Sequence, residues 1–228
     1  MDLNSHDVKA ILQSKRMTHI FHANTVKTSR SLLALRAFAS RHMVQESGLA
    51  QARQYTDDID RRYGIWNCTF FDSVDVHERI RNVNQYGPVL FRASLELLDH
   101  VPGEIVRVTK SNPNKWDKLP ADRRWFGTVE ELEREFVVGC FDQIIVVPNS
   151  DASIPIGQFT DAVTLDDPER RWGDFNVYDL AERALREALE SAALGDMPLR
   201  SRICREGCRC RERYARDDAL VERYFGSH

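Results

Sequence analysis

The sequence predicts an α+β protein. Stretches of strand and helix character are mixed along the chain without regular βαβ alternation. No Gly-rich turn joins a strand to a helix, which sets aside the doubly wound nucleotide folds. The 228 residues, 42% hydrophobic and 29% charged, are enough for a substantial core that needs no disulfide or metal to form.

The elements follow in order. Residues 6–14 read as a short helix on Val8, Ile11 and Leu12, and Met17–Ala23 as a strand carried by Ile20 and Phe21. Leu32, Leu33, Leu35 and Phe38 recur at helical spacing, so Thr25–Met43 reads as one helix. The polar stretch from Gly48 to Arg62 reads as loop with about one helical turn. Ile65–Phe71 is apolar and aromatic, and Val74, Val76 and Ile80 space a short helix within Asp72–Asn84. Tyr86-Gly87-Pro88 is a turn ahead of a strand at Val89–Leu95, and Glu104–Thr109 alternates as a second strand. Lys110–Gly127 reads as loop. Thr128 with Glu131 makes a capping box for a helix to about Arg134. Phe141–Val147 is the expected central strand and Gly157–Leu165 an edge strand. Asn176 caps a helix to about Leu194 with Leu180, Ala184, Leu185, Ala188 and Leu189 on one face. From Arg200 to Arg216 the tail holds seven arginines against two glutamates.

Composition excludes collagen, coiled-coil rods and wholly disordered chains. The longest apolar run, Ile144–Val147, is far short of a membrane span, and the first residues lack the apolar core of a signal peptide. Five cysteines, an odd number, fit a reducing cytoplasm. A net charge of −3 argues against a general polyanion-binding coat but leaves room for a local basic patch.

Four motifs carry chemistry. His19 and His22 with Asn24 suit hydrogen bonding to ribose hydroxyls or an amide. The two histidines point to opposite faces of a strand unless it ends near Phe21, and histidines at a strand end are commonly just half-buried. Asp72, Asp75 and His77 are metal-ligand types, yet they share no helical face. Glu135, ahead of an apolar strand that opens with Asp142 and Gln143, is placed to hold a ribose and steady an oxocarbenium ion. Its neighbours Glu130, Glu131 and Glu133 read as a solvated helix face. Cys204, Cys208 and Cys210 invite zinc, but their spacing is not C-x-x-C and a fourth ligand would be Cys68, Cys140 or a distant histidine. No metal is therefore expected, and the basic tail reads as a face for phosphates or a partner's acids.

Taken in order, the pieces resemble a DarT-like ADP-ribosyltransferase toxin of the ADP-ribosyltransferase superfamily, which modifies nucleic acid with NAD. The likeness is carried by Met-Thr-His19-Ile-Phe-His22-Ala-Asn24, by the Ser29–Phe38 helix with Arg36, by Gly87-Pro-Val-Leu-Phe-Arg-Ala-Ser-Leu, and by Glu135-Phe-Val-Val before Phe141-Asp-Gln-Ile-Ile-Val. It spans roughly residues 17–165.

The resemblance implies a split β-sheet core in a catalytic domain over residues 1–170; the C-terminal helix and Arg/Cys-rich tail over 171–228 lie outside it. It implies NAD as substrate, bound by His19 or His22 with Asn24 and Tyr86. Glu135 would be the catalytic carboxylate, with Asp142 its rival, and Arg36 the basic residue, with Arg30 and Arg41 as rivals. The implied acceptor is single-stranded or flipped DNA or RNA, held by Lys115, Arg123 and Arg124 with Trp116 or Trp125 stacking a base. A bacterial toxin or phage-defence effector with an antitoxin partner follows. Two other classes stay open: a metal-dependent phosphodiesterase using Asp72, Asp75 and His77, and a non-enzymatic nucleic-acid binder relying on the tail.

Overall fold

The computed structural model describes residues 1–148 and 154–227 and is a mixed α+β arrangement. The chain opens with β1 (Leu3–Asn4) and α1 (Ser5–Ser14), whose first amides are capped by Asn4. Then come β2 (His19–Asn24), α2 (Val26–Leu35), β3 (Ala37–Phe38), α3 (Arg41–Glu46) and α4 (Asp57–Arg62). The middle of the chain holds β4 (Cys68–Phe71), α5 (Val76–Ile80), β5 (Val89–Ser94), β6 (Ile105–Val108), α6 (Val129–Glu135) and β7 (Ile145–Pro148). The last part holds β8 (Ile154–Pro155), β9 (Thr160–Asp166), β10 (Arg171–Trp172), β11 (Phe175–Asn176), α7 (Val177–Ser191), β12 (Leu199–Arg202), α8 (Cys210–Arg216) and α9 (Asp218–Phe225).

Two four-stranded sheets form, in the orders β1-β6-β7-β4 and β12-β9-β5-β2. Their edge strands β4 and β2 meet at a single bridge, where Phe21 and Asp72 exchange backbone hydrogen bonds of 2.9 and 2.8 Å. The two sheets therefore lie edge to edge across a seam. The expected central strand is internal to its sheet as β7, between β6 and β4. The expected edge strand is not an edge: β9 lies between β5 and β12, because tail residues Leu199–Arg202 pair with it in parallel.

The long helix expected over Thr25–Met43 is broken. Arg36 takes a left-handed conformation at φ 54°, ends α2, and turns the chain into β3, which pairs with β8. Helical spacing of apolar residues cannot distinguish this, because Phe38 is as buried in a short strand as in a helix. The tail likewise folds: α9 buries Leu220, Val221, Tyr224 and Phe225, against α2 and α7 among other elements.

Phe38, Phe71 and Phe91 form the aromatic centre of the core, with ring centroids 5.2 Å (Phe38–Phe71) and 5.7 Å (Phe38–Phe91) apart. Each is fully buried, contributing about 1.5–3 kcal/mol of hydrophobic stabilisation. α7 lays Val177, Ala181, Ala184, Leu185 and Leu189 on this core; of the expected face Ala184, Leu185 and Leu189 are buried, while Leu180 and Ala188 are half-buried at its margin. Ile65, Cys68, Trp116, Trp125, Ile144 and Val146 make a smaller second core under the segment that reads as loop. Among the described residues no helix is long and apolar enough to cross a membrane.

Candidate functional site at the sheet seam

A cleft of about 760 Å³, its open mouth included, lies at the seam. β2 supplies His22 and Asn24 to it, since residues two apart share a face of a strand. His22 Nδ1 lies 2.7 Å from the Phe70 carbonyl and donates to it. Its Nε2 is therefore an acceptor, met by the Asn24 side-chain amide at 2.6 Å. Asn24 Oδ1 in turn accepts from Gln54 at 3.3 Å. Burial against Phe38 and Phe71 pushes the His22 pKa down to about 4, outweighing the bond to Phe70, so the ring is neutral. A neutral, tautomer-fixed imidazole holds the Asn24 amide in one orientation.

Tyr86 joins the cleft from the turn before β5 and stacks on Tyr55, with ring centroids 6.1 Å apart and planes 29° apart. Burial raises both hydroxyls above the ordinary tyrosine value, keeping them protonated donors. Gly87 sets this position. Its φ is +144°, and a Cβ built there would lie 2.3 Å from the Asn24 carbonyl carbon and oxygen. Only a residue without a side chain lets the Tyr86 turn approach the end of β2 so closely.

Two carboxyls line the wall. Desolvation raises Asp60 to about 7, against a lowering hydrogen bond from Thr56. Desolvation, with Asp75 adding repulsion, raises Asp72 to about 7. Arg41 stands beside them: its Nη2 bonds Asp57 at 3.0 Å and the Ala52 carbonyl at 2.9 Å, and it sits 5.1 Å from the Trp66 ring centre. For Asp60 the folded pKa lies above the unfolded one, so the folded state retains a proton that the unfolded chain loses between about pH 4 and 7, and stability falls as the pH rises through that window. Asp60→Asn should accordingly be more stable than the parent at pH 8, by about 1–3 kcal/mol, and match it below about pH 4. Urea unfolding at the two pH values measures this, and equal curves at pH 8 would remove the premise of a desolvated carboxyl.

The structure brings His22, Asn24 and Tyr86 together. His19 does not join them: it faces the other side of β2 and pairs with Asp161 at 3.0 Å, because the strand runs on through Asn24. Arg36 is exposed at the end of α2, where its backbone accepts from Ile156, and the rival Arg41 lines the cleft instead. Glu135 stands outside the cleft, at the exposed end of α6, bonded to Arg134 at 2.7 Å. Helical propensity runs through it and the capped helix carries it away from the strand. Asp142 also lies off the lining. It accepts from Lys115 at 2.7 Å and from the amide of Asn112, a residue that does line the cleft.

Trp116 cannot stack a base: it is 1% exposed and donates its indole N–H to Ser111. Trp125 is buried beside it. Arg124 bonds the carbonyls of Trp116 and Leu119 and lies over Tyr63. Lys115 and Arg123 remain exposed on the two short turns Pro113–Lys118 and Ala121–Arg123. Asp72, Asp75 and His77 diverge to the cleft, to Arg202 and to the tail cysteines, so they form no shared metal centre. The three cysteines, for which no metal was expected, do have a fourth donor in His77.

Sequence reasoning missed Asp60, Gln54 and Tyr55, which sit in the aperiodic Gln51–Arg62 stretch, and weighed Asp72 only as a metal ligand. No protein-family model, curated protein or solved structure matches the chain.

Proposed function

We propose that the chain is an NAD-dependent ADP-ribosyltransferase that modifies a nucleic-acid base, acting in the cytoplasm as a toxin or phage-defence effector, with an antitoxin as its partner. The observation that carries this reading is the meeting, in one cleft, of a locked His22–Asn24 pair, Tyr86 backed by Tyr55 from outside the lining, and two desolvated carboxyls. Oxidised NAD presents complementary groups: a flat cationic pyridinium, a carboxamide and ribose hydroxyls. Tyr86 offers its ring to the pyridinium, and Asn24 and Gln54 offer amides to the carboxamide or ribose. Asp72 takes the part that the resemblance assigned to Glu135.

A cation settling near Asp72 favours its ionised form, so a carboxyl poised near 7 in the empty cleft becomes a carboxylate when substrate arrives. The glycosidic C–N bond then breaks, nicotinamide leaves with the electron pair, and the carboxylate steadies the oxocarbenium ion. A nucleobase atom attacks that carbon and loses its proton to solvent. The base must be unstacked to reach the cleft. Exposed Lys115, Lys118 and Arg123, on the turns that follow cleft residues Asn112 and Pro113, supply phosphate contacts.

Incubation with NAD labelled in its adenylate half, plus single-stranded DNA or RNA, tests the reading. Transfer of label to the nucleic acid with release of nicotinamide is expected. Neither transfer nor loss of NAD with either acceptor would overturn it.

A further inference from the structure

We propose that His77, Cys204, Cys208 and Cys210 form a structural zinc site. Their donor atoms all lie within 4.8 Å of one another. His77 Nε2 is 3.1 Å from Cys204 Sγ and 3.3 Å from Cys208 Sγ, and Cys210 Sγ is 3.2 Å from Cys208 Sγ and 2.7 Å from Cys204 Sγ. Zn–S bonds of about 2.3 Å and Zn–N bonds of about 2.0–2.1 Å set tetrahedral donors about 3.4–3.8 Å apart. To take the ion the closest pair, Cys204 and Cys210, opens by about an ångström, the pairs at 3.1–3.3 Å open by less, and the widest pair, at up to 4.8 Å, closes by about an ångström.

The surroundings are those of a metal ligand set. His77 Nδ1 faces Asp166 Oδ2 at 2.6 Å, with Asp166 fully buried, which leaves the Nε2 lone pair directed at the sulfurs. A carboxylate behind a ligating histidine fixes its tautomer and raises its basicity. Arg202 bonds the other Asp166 oxygen at 2.5 Å and also Asp75, which caps the helix carrying His77. A disulfide between two of the cysteines would leave the third thiol and the aimed imidazole unexplained. The set is three thiolates and one neutral imidazole, and binding releases three thiol protons to solvent. With four protein ligands and no open position, the ion is structural.

Its place in the fold follows. It ties the start of α5 to the segment after β12 and to the first residue of α8, beside the backbone bond from Arg209 to the Arg81 carbonyl at 2.9 Å. The stretch around α5, from Asp72 to Tyr86, supplies two residues of the cleft. The site does not depend on what the cleft binds.

The test uses the full chain, purified under reducing conditions without chelator. Elemental analysis should find one zinc per chain, and replacement with cobalt(II) should give thiolate charge-transfer bands with the visible envelope of a tetrahedral centre. Cys208→Ser should lose the metal while Cys140→Ser keeps it, and Asp166→Asn should weaken binding by about 10–100-fold. A folded parent chain that takes up neither zinc nor cobalt overturns the proposal, as does a Cys204–Cys210 disulfide in peptide maps of freshly isolated protein. If the variants do not fold, the cobalt spectrum of the parent chain decides.

Discussion

Asp72→Asn should lower NAD turnover by about 10²–10³-fold while the chain stays folded, because a neutral amide of the same shape cannot steady an oxocarbenium ion. The pH profile separates this from a structural effect. Parent kcat/KM should climb as the pH rises through about 7, where the carboxyl of the empty cleft ionises, and that of the variant should be flat there. Stability should move the other way: the fold opposes ionisation of Asp72, so the variant should match or exceed the parent above pH 7. Glu135→Ala is the control. The side chain is exposed and pairs with the adjacent Arg134, and its loss should change stability by no more than about 0.5 kcal/mol and leave turnover intact. Nicotinamide release by the two variants, with circular dichroism of each, makes the measurement. An active Asp72→Asn beside an inactive Glu135→Ala would return the chemistry to α6.

Gly87→Ala should be the most damaging single-methyl change at the site. The new Cβ would meet the Asn24 carbonyl at 2.3 Å and the Thr25 amide nitrogen at 2.4 Å. Neither can yield cheaply: Asn24 is paired with Val89 in the sheet, and Thr25 caps α2 through the Thr28 amide. The cost should be about 3–5 kcal/mol, lowering the thermal midpoint by about 10 °C, and Tyr86 should leave its place against Asn24. Gly64→Ala is the comparison. Its φ is also positive, at +67°, but a Cβ there meets nothing within 4 Å, so only conformational strain of about 1 kcal/mol remains. Equal losses in the two variants would mean that the close approach to Asn24 and Thr25 adds no cost at Gly87.

Local signals were legible and long-range ones were not. Asn176 and Thr128 cap α7 and α6 as their residue types require, and the apolar face of α7 is plain from its spacing. Strand alternation alone separates His19 from the pair His22 and Asn24 once the length of β2 is known. Asp72 could not be recognised as part of the cleft, because its place depends on the bridge to Phe21, about fifty residues earlier in the chain. The same holds for His77 and Cys204, which lie 127 residues apart in sequence. Trp116 looked available to a base because a stretch with two prolines and no periodicity reads as exposed loop. Its burial comes from Ile65, Cys68 and Val146, which lie elsewhere in the chain.

One row of residues crosses the second sheet from edge to edge: Asn24 beside Val89, Val89 beside Leu165, Leu165 beside Ser201. Not one of these neighbours can find the other through a tight hairpin; each encounter closes a long loop, with loop-closure entropy lost before any pairing is gained. Refolding should therefore be slow beside that of a helical bundle of similar size, and the half-assembled sheet exposes unpaired edges for as long as that search lasts.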